Sequence, residues 1–351
     1  MTSQLSPPSP ARPCVAVASL GGTITMTPAT SGAVTPTLRA EDLVAAVPEL
    51  EAVADVVATT VVTLPGASLH PEHLLAALEW ARAAVDAGAT GVVVVQGTDT
   101  IEESAYLLDL WWDREAPLVV TGAMRAPAMP GSDGPANLLA SVRTAAAAAA
   151  ASRGVLVVLD DTVHAAERVA KTASTTTSAF VSPSFGPAGR VHEESLVFAA
   201  PPAPRPPALP VPRRGAHPVV RVLTTWLGDE GEMLDEAVTS GCAGVVLAAF
   251  GVGHLPVRVA ERVDAAAQRF PVVLASRTGS GSTTRGVYGF PGSESDLIAR
   301  GAVPAGWLGP LKARALLWAL LAAGRADDVA AEFAVRGRTR SEVPGADSAA
   351  E

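Results

Sequence analysis

Residues 91–104, GVVVVQGTDTIEES, carry the pattern that decides the fold. Residues 92–95 are four consecutive valines, so apolar and polar residues do not alternate along this segment. Such a pattern is typical of a parallel strand covered by helices on both faces. Gly97 ends this pattern, and the small polar residues Thr98 and Asp99 follow before an acidic segment begins. A buried strand that passes through a short polar turn into a helix indicates an α/β fold.

The polar turn has a structural interpretation and a functional one. Thr100 and Glu103 have the spacing of a capping box, and Glu102 also favours the positive end of a helix, so these three residues are predicted to start the helix. Capping leaves Thr98 and Asp99 unexplained. They follow a predicted parallel strand at its carboxyl end, where open α/β sheets bind ligands.

The same strand pattern recurs along the first half of the chain, and amphipathic helix patterns separate the strands. Helices are predicted over residues 71–88 and from residue 133 onward. The resulting order predicts a larger N-terminal domain with a mainly parallel sheet and helices on both faces. The predicted strands cover residues 14–20, 56–62, 91–96, 117–122 and 154–160.

A proline-dense segment divides the chain. Residues 199–215, AAPPAPRPPALPVPRRG, cannot form a helix or a central strand and are predicted to be an interdomain linker. Strand and helix patterns resume after it and predict a smaller C-terminal α/β domain over residues 216–337, beside an N-terminal domain over residues 13–198. Residues 1–12 and 338–351 are expected to be flexible tails.

Composition narrows the possible partners. Hydrophobic residues make up 48% of the 351 residues, and the formal net charge is −9. The acidic balance argues against nucleic acid or an anionic membrane as partner. No segment has the pattern of a signal peptide or a membrane span, so a cytoplasmic protein is expected. Cys14 and Cys242 lack the spacing of a metal site, and no metal is predicted.

Two further segments offer chemistry at strand ends. Gly21 and Gly22 follow the first strand, and glycine lets the backbone approach a ligand closely. Thr23 would then present a nucleophilic hydroxyl beside backbone amides, although the segment taken alone favours a simple strand-to-loop turn. Lys171, in RVAKT, could take a proton from a threonine if burial favoured its neutral form; the alternative is a surface lysine. The phosphate-loop motifs are absent.

Taken in order, several motifs resemble those of the bacterial L-asparaginases that use two catalytic threonines. The resemblance spans about residues 13–337 and rests on LGGTI, GTDTIEESA, VVTGAMRAP with SDGPANL, RVAKT with AFVSP, and LKARALL. It implies a larger N-terminal and a smaller C-terminal α/β domain, and a homotetramer built as a dimer of dimers. It also implies hydrolysis of L-asparagine to L-aspartate and ammonia, with no metal or cofactor.

The resemblance also implies roles for single residues. Thr23 matches the nucleophile that forms an acyl-enzyme with the side-chain amide of the substrate. Thr98, Asp99 and Lys171 match the second catalytic set, in which the lysine assists deprotonation of the threonine. Asp99 also binds the substrate α-amino group. Two further matches complete the substrate site: the Ser68 position holds the α-carboxylate, and the backbone carbonyl at the Ala123 position faces the amide.

The sequence departs from the family pattern near the substrate. The loop after Thr23 lacks the usual tyrosine, for which Tyr288 is a candidate replacement. Leu69 stands where many members have glutamine, and His254 stands where they have an asparagine that can reach a neighbouring subunit's site. His254 could equally be a surface histidine, and Glu294 is a weak candidate for an acidic residue from the neighbour. These changes favour an altered asparagine-to-glutamine preference.

Two alternatives to an L-asparaginase stay open: an amidohydrolase for another amide, and a non-catalytic amino-acid-binding protein.

Overall fold

The computed structural model describes residues 12–28, 34–213 and 215–338. The predicted flexible tails, residues 1–12 and 338–351, therefore lie outside the described residues except for Arg12 and Arg338. Two α/β domains are present, each built on its own sheet. No helix in the described ranges is long and apolar enough to cross a membrane.

The larger domain contains an eight-stranded sheet and five α-helices. Its helices are α1 Ala40–Ala45, α2 Leu50–Val53, α3 Pro71–Asp86, α4 Ile101–Trp111 and α5 Gly134–Ala146. Its strands are β1 Cys14–Gly21, β2 Met26–Pro28, β3 Val34–Pro36, β4 Asp55–Leu64, β5 Gly91–Val95, β6 Leu118–Thr121, β7 Val155–Leu159, β8 Thr162–Ala165, β9 Ala170–Lys171, β10 Phe180–Val181, β11 Gly189–His192 and β12 Ser195–Phe198.

The main sheet has the strand order β12-β11-β8-β7-β6-β5-β1-β4. Five neighbouring strands pair in parallel, in the order β7-β6-β5-β1-β4. Strands β8, β11 and β12 extend the sheet beyond β7 with antiparallel pairs. The predicted mainly parallel sheet is confirmed. All five predicted strands are present, with ends that differ by one or two residues.

The valine run of β5 explains why this strand showed no alternation. Val92 and Val94 belong to a core cluster with α3 and α4, while Val93 and Val95 belong to a cluster with α5. All residues of β5 are buried. Because helices cover both faces of the sheet, every side chain of a central strand enters a core, and apolar residues are favoured at each position.

The smaller domain is a four-stranded parallel sheet with the order β13-β14-β15-β16. Its first helices cover the sheet, and α9 packs against α4 of the larger domain. Trp111 of α4 and Trp318 of α9 meet edge to face, with ring centroids 6.4 Å apart. The elements are β13 Val220–Thr224, α6 Glu232–Thr239, β14 Gly244–Ala249, α7 Val257–Ala267, β15 Val272–Ser276, α8 Glu294–Ala299, β16 Val303–Pro304, α9 Pro310–Ala322 and α10 Val329–Arg336.

The Pro-rich segment, residues 199–213 and 215, contains neither helix nor strand, but it packs closely on α4. Leu209 is buried, and its N–H donates to the carbonyl of Leu110. Arg205 donates to the backbone and the carboxylate of Asp109. This connection is therefore held at Arg205 and Leu209 by contacts with α4 of the larger domain.

The capping box predicted at the start of α4 is wrong. Thr100 is the N-cap residue, but its side chain accepts no cap hydrogen bond from the helix. Its hydroxyl donates instead to the carbonyl of Gly66, in the loop after β4. Glu103 forms an ion pair with Arg314 of α9. The Thr100 hydroxyl and the Glu103 carboxylate therefore bind residues from distant parts of the chain, whereas the local spacing had assigned both groups to the helix start.

Candidate active site

Three loops meet at the carboxyl ends of neighbouring parallel strands. β1, β4 and β5 lie side by side, and each leads into a single turn of 3₁₀ helix. These turns cover Thr23–Thr25, Gly66–Ser68 and Thr98–Thr100. The order of the parallel strands therefore brings Thr23, Ser68 and Thr98 to one edge of the sheet, where such sheets bind ligands.

Close backbone contact among Gly22, Gly66 and Gly97 joins the three loops; we call it the three-glycine contact. A Cβ on Gly22 would lie 2.2 Å from the nitrogen of Gly97, and one on Gly97 would lie 2.5 Å from the nitrogen of Gly66. Gly22 also has a φ of 90°, a conformation that favours glycine. Any side chain at these positions would separate the loops, so glycine brings the candidate residues together.

Lys171 lies against Thr98 and Asp99, the two residues with which the resemblance groups it. Its Nζ donates to Thr98 Oγ1 at 3.0 Å and to Asp99 Oδ1 at 2.9 Å. Thr98 is only 5% exposed, the Lys171 side chain is 18% exposed, and the Asp99 side chain is 63% exposed. A nearly buried hydroxyl is thus in contact with an amine, while the adjacent carboxylate faces solvent.

A short antiparallel pair of strands delivers Lys171 to this position. Lys171, the last residue of β9, pairs with Phe180 of β10. The backbone N–H of Lys171 donates to Glu102 Oε2 at 3.2 Å. Glu102 belongs to the first turn of α4, directly after Thr98 and Asp99. The lysine is therefore held at its backbone by the same helix start that carries its side-chain partners.

Thr23 lies half-buried at the start of its turn. Thr25 fixes that turn, because both its N–H and its hydroxyl donate to the carbonyl of Gly22. Within the described residues, no hydrogen bond engages the Thr23 hydroxyl. Tyr288, the candidate replacement for the loop tyrosine, belongs to the smaller domain, and its ring lies against those of His254 and Phe290. The hydroxyl of Thr23 is therefore open to a ligand at the carboxyl ends of the strands.

Ala123 follows β6, and its loop is held by polar groups from the start of α5. The Asp133 carboxylate accepts the N–H groups of Met124 and Arg125, and Asn137 donates to the carbonyl of Gly122. Ala123 is fully buried. Ser68, in contrast, is exposed at the end of its turn, with its hydroxyl free to meet solvent or a substrate.

His254 and Glu294 lie together in the smaller domain and not beside Thr98 or Lys171 of the same chain. His254 Nε2 is 3.3 Å from Glu294 Oε2, and Tyr288 and Phe290 flank the imidazole ring. Burial raises the pKa of Glu294, but the N–H groups of Tyr288 and Val287 donate to its carboxylate and hold that pKa below its ordinary value. The glutamate is therefore anionic at neutral pH.

Sequence reasoning missed two contributors to the site and the partner of a third. Gln96 is fully buried, and its amide donates to the carbonyl of Gly97 and to the hydroxyl groups of Thr100 and Ser104. Lys312 is buried beside Glu102, a residue assigned only to helix capping. The signal for Gln96 was a polar residue directly after a fully apolar strand. The motif LKARALL contained Lys312 without indicating its partner.

No group of histidine, cysteine, aspartate or glutamate side chains in the described part of the chain could hold a metal ion. The polar groups at the strand edge are instead hydroxyls, an ammonium, a carboxylate and backbone amides. This set suits a zwitterionic substrate: a carboxylate can bind an ammonium, and donors can bind a carboxylate or a developing oxyanion.

Comparison with known proteins agrees with this geometry. The family models "Asparaginase, N-terminal" and "Glutaminase/Asparaginase C-terminal domain" match residues 14–204 and 219–333. L-asparaginase 2 of Escherichia coli (strain K12) is 33% identical over 281 residues, 79% of each chain. A probable L-asparaginase of Deinococcus radiodurans is 37% identical over 232 residues, 65% of this chain and 70% of that protein.

The fold agrees as well. The crystal structure of a probable cytoplasmic L-asparaginase from Campylobacter jejuni superposes with a TM-score of 0.81 at 27% identity. The superposition covers 92% of this chain and 99% of the Campylobacter chain. With both domains matched in order over most of its length, the chain belongs to the asparaginase family.

Proposed function

We propose that this protein hydrolyses the side-chain amide of L-asparagine to L-aspartate and ammonia through a threonine acyl-enzyme. The observation that carries the proposal is the contact of the Lys171 amine with Thr98 and Asp99, beside the turn that presents Thr23. The contact combines a proton-handling pair with a carboxylate at the edge where the three-glycine contact gathers the loops. Relatives named as L-asparaginases support the choice of substrate.

In the proposed first step, Thr23 Oγ attacks the amide carbon of the substrate. Backbone N–H groups around Thr23 stabilise the oxyanion, and the C–N bond breaks as the nitrogen leaves as ammonia. Thr98 with Lys171 takes the proton that the Thr23 hydroxyl gives up and passes it to the leaving nitrogen, which departs as ammonia. In the second step water attacks the acyl carbon, the bond from this carbon to Thr23 Oγ breaks, and aspartate is released. Thr98 with Lys171 takes a proton from this water and returns it to Thr23 Oγ.

Substrate binding in this proposal uses the exposed groups of the site. Asp99 binds the α-ammonium; its Oδ1 already accepts a hydrogen bond from Lys171, while the side chain remains mostly exposed. Ser68 binds the α-carboxylate as a hydrogen-bond donor. The carbonyl of Ala123 accepts a hydrogen bond from the N–H of the substrate amide. No metal or cofactor takes part.

The proposal includes a cytoplasmic homo-oligomer, a dimer of dimers in which His254 faces a neighbouring subunit's site. The cytoplasmic location is supported by the name of the Campylobacter relative. Leu69, half-buried where many relatives have glutamine, leaves fewer polar contacts for the substrate amino group. Size-exclusion chromatography with light scattering measures the assembly.

The test is ammonia release from L-asparagine and from L-glutamine by the wild-type protein. We expect turnover of asparagine, a loss of roughly 10³-fold or more in kcat for Thr23→Ala, and partial retention for Thr23→Ser. Thr98→Ala is expected to lose kcat similarly. Turnover of glutamine alone would favour the other amide preference. Binding of asparagine without turnover would favour a binding protein, and full activity of Thr23→Ala would refute the nucleophile.

A further inference from the structure

A series of contacts leads from the smaller domain to the candidate catalytic lysine. Lys312, in the first turn of α9, is only 4% exposed. Its ammonium lies 3.4 Å from Glu102 Oε1 and donates to the carbonyl oxygen of Val169. The other oxygen of Glu102 accepts the backbone N–H of Lys171. Four residues from α9, α4 and the β9 region thus form one connected polar network.

The network places a cation and an anion where they hold β9 from two sides. Val169 immediately precedes β9, and Lys171 ends it. An ammonium is costly to bury unless its protons are bound, and here the carbonyl of Val169 and the Glu102 carboxylate take them. Removing Lys312 would leave Glu102 without its buried cation and Val169 without its donor. Lys312 and Glu102 therefore contact the backbone on both sides of Ala170, in addition to the strand pairing of β9.

We propose that Lys312 and Glu102 are positioning residues, which hold β9 so that the Lys171 amine stays in contact with Thr98 and Asp99. In this arrangement the smaller domain controls the geometry of proton transfer in the larger one. Lys312 does not touch the reacting groups itself. The inference rests on the proposed function for its kinetic consequences, but the positioning is a structural claim that can be measured separately.

The surroundings give β9 room to shift if the network is broken. A cavity of about 640 Å³ lies between the two domains, and Glu102, Lys171 and Lys312 form part of its wall. Packing alone does not fill the space beside the lysine. Since a displacement of about 1 Å at a reacting group can cost about 100-fold in rate, a small shift of β9 is enough to affect catalysis.

Lys312→Met tests the proposal, because methionine keeps much of the side-chain length and removes the charge. Arg314→Met is the matched control: it removes an ion pair between the same two helices, Arg314 with Glu103, that does not reach β9. We expect kcat of Lys312→Met to fall about 10-fold or more with KM changed by less than about 3-fold. Arg314→Met is expected to stay within about 2-fold of wild type.

A second arm asks whether Lys312 acts through Lys171. In a Lys171→Met background, Lys312→Met is expected to lower kcat by no more than about 2-fold further, since the positioned group is already gone. Equal effects in both backgrounds would overturn the proposal, as would equal losses from Lys312→Met and Arg314→Met. Glu102→Gln is expected to repeat the Lys312→Met result and serves if Lys312→Met does not fold.

Crystal structures of the variants provide a readout that does not need activity. In Lys312→Met or Glu102→Gln, the separation of Lys171 Nζ and Thr98 Oγ1 is expected to exceed hydrogen-bond range, about 3.5 Å. In Arg314→Met it is expected to remain near the 3.0 Å seen here. An unchanged contact in both network variants would overturn the positioning claim. Absence of asparagine turnover in the wild type would refute the proposed function alone.

Discussion

The Lys171 amine lies 3.0 Å from the Thr98 hydroxyl, although 73 positions separate the two residues in the chain. Thr98 is almost fully buried at the end of a central strand, while Lys171 arrives from a separate two-stranded sheet. Asp99, next to Thr98, accepts a second hydrogen bond from the same amine. A hydroxyl, an amine and a carboxylate thus share one network with different exposure to solvent.

This network predicts that Lys171→Met and Asp99→Asn differ in their kinetics. Lys171→Met removes the group that handles the proton, and we expect kcat for asparagine to fall by about 10²- to 10⁴-fold with little change in KM. Asp99→Asn removes the charge proposed to bind the substrate ammonium, and KM is expected to rise more than kcat falls. Steady-state ammonia release decides between the two patterns. Identical changes in both variants would contradict the separate roles.

The three-glycine contact predicts a large cost for one methyl group. Gly97→Ala would place a Cβ 2.5 Å from the nitrogen of Gly66, so the loops after β4 and β5 must separate. We expect a loss of about 3 kcal/mol or more in the free energy of unfolding, measured by urea denaturation, together with loss of turnover.

Gly286→Ala is the control for this experiment. A Cβ at Gly286 meets no atom within 4 Å and the residue has no left-handed φ, so stability is expected to change by less than about 1 kcal/mol. A Gly97→Ala protein as stable and active as Gly286→Ala would show that the loops tolerate separation.

His164 predicts a loss of stability in acid. Burial, with a smaller contribution from the charge of Arg190, lowers the pKa of His164 from 6.5 to about 4. Between these two pH values His164 is protonated in the unfolded chain but neutral in the folded protein. The free energy of unfolding therefore falls as the pH drops from about 6.5 to about 4, by on the order of 3 kcal/mol. His164→Gln is expected to flatten this part of the stability-against-pH curve.

Urea denaturation at pH 7 and pH 4.5 measures the effect. The exposed His217, which pairs with Glu72, supplies the control, and His217→Gln is expected to leave the slope close to that of wild type. A slope for His164→Gln equal to that of wild type would show that other groups cause the acid sensitivity.

The ion pair of Asp109 and Arg205 predicts how firmly the Pro-rich segment is attached. Asp109 accepts protons from Arg205 and from the N–H of Val155, so it joins α4, β7 and this segment. Asp109→Ala leaves a largely buried guanidinium without its carboxylate, and we expect a loss of about 3 kcal/mol in stability. Limited proteolysis within residues 199–215 is also expected to become faster.

Asp113→Ala is the matched control, because Asp113 forms exposed ion pairs with Arg82 and Arg114. Its loss is expected to cost less than about 1 kcal/mol and to leave cleavage of the Pro-rich segment unchanged. Equal proteolysis of the two variants would contradict attachment through Asp109.

The sequence was sufficient to predict the sheet and the position of Thr98 and Asp99 at its carboxyl end. The valines of β5 predicted a strand buried on both faces, and the polar residues Thr98 and Asp99 were assigned to its carboxyl end because capping did not explain them. These inferences succeeded because they depend on local patterns and on a general property of parallel sheets.

Other parts of the site depended on contacts between distant segments. Glu102 and Glu103 fit a local capping rule, yet their charges pair with Lys312 and Arg314 in the other domain. Helix-start preferences are worth about 1 kcal/mol, and tertiary partners readily override them. Gln96 was marked in the sequence by its place after an apolar strand, but the groups that its amide binds come together only when the loop folds back on α4.

The three-glycine contact has a practical consequence for building chimeras between this protein and its relatives. The loops after β1, β4 and β5 are far apart in sequence, but each was shaped against the backbone of the others at a separation that admits no side chain. A crossover that takes one loop from one parent and the next loop from another brings together two backbones whose shapes do not come from the same protein, at a point where they must lie in direct contact. Recombination libraries should therefore exchange residues 21–25, 64–69 and 96–100 as a single unit, even though such a block is discontinuous in the gene.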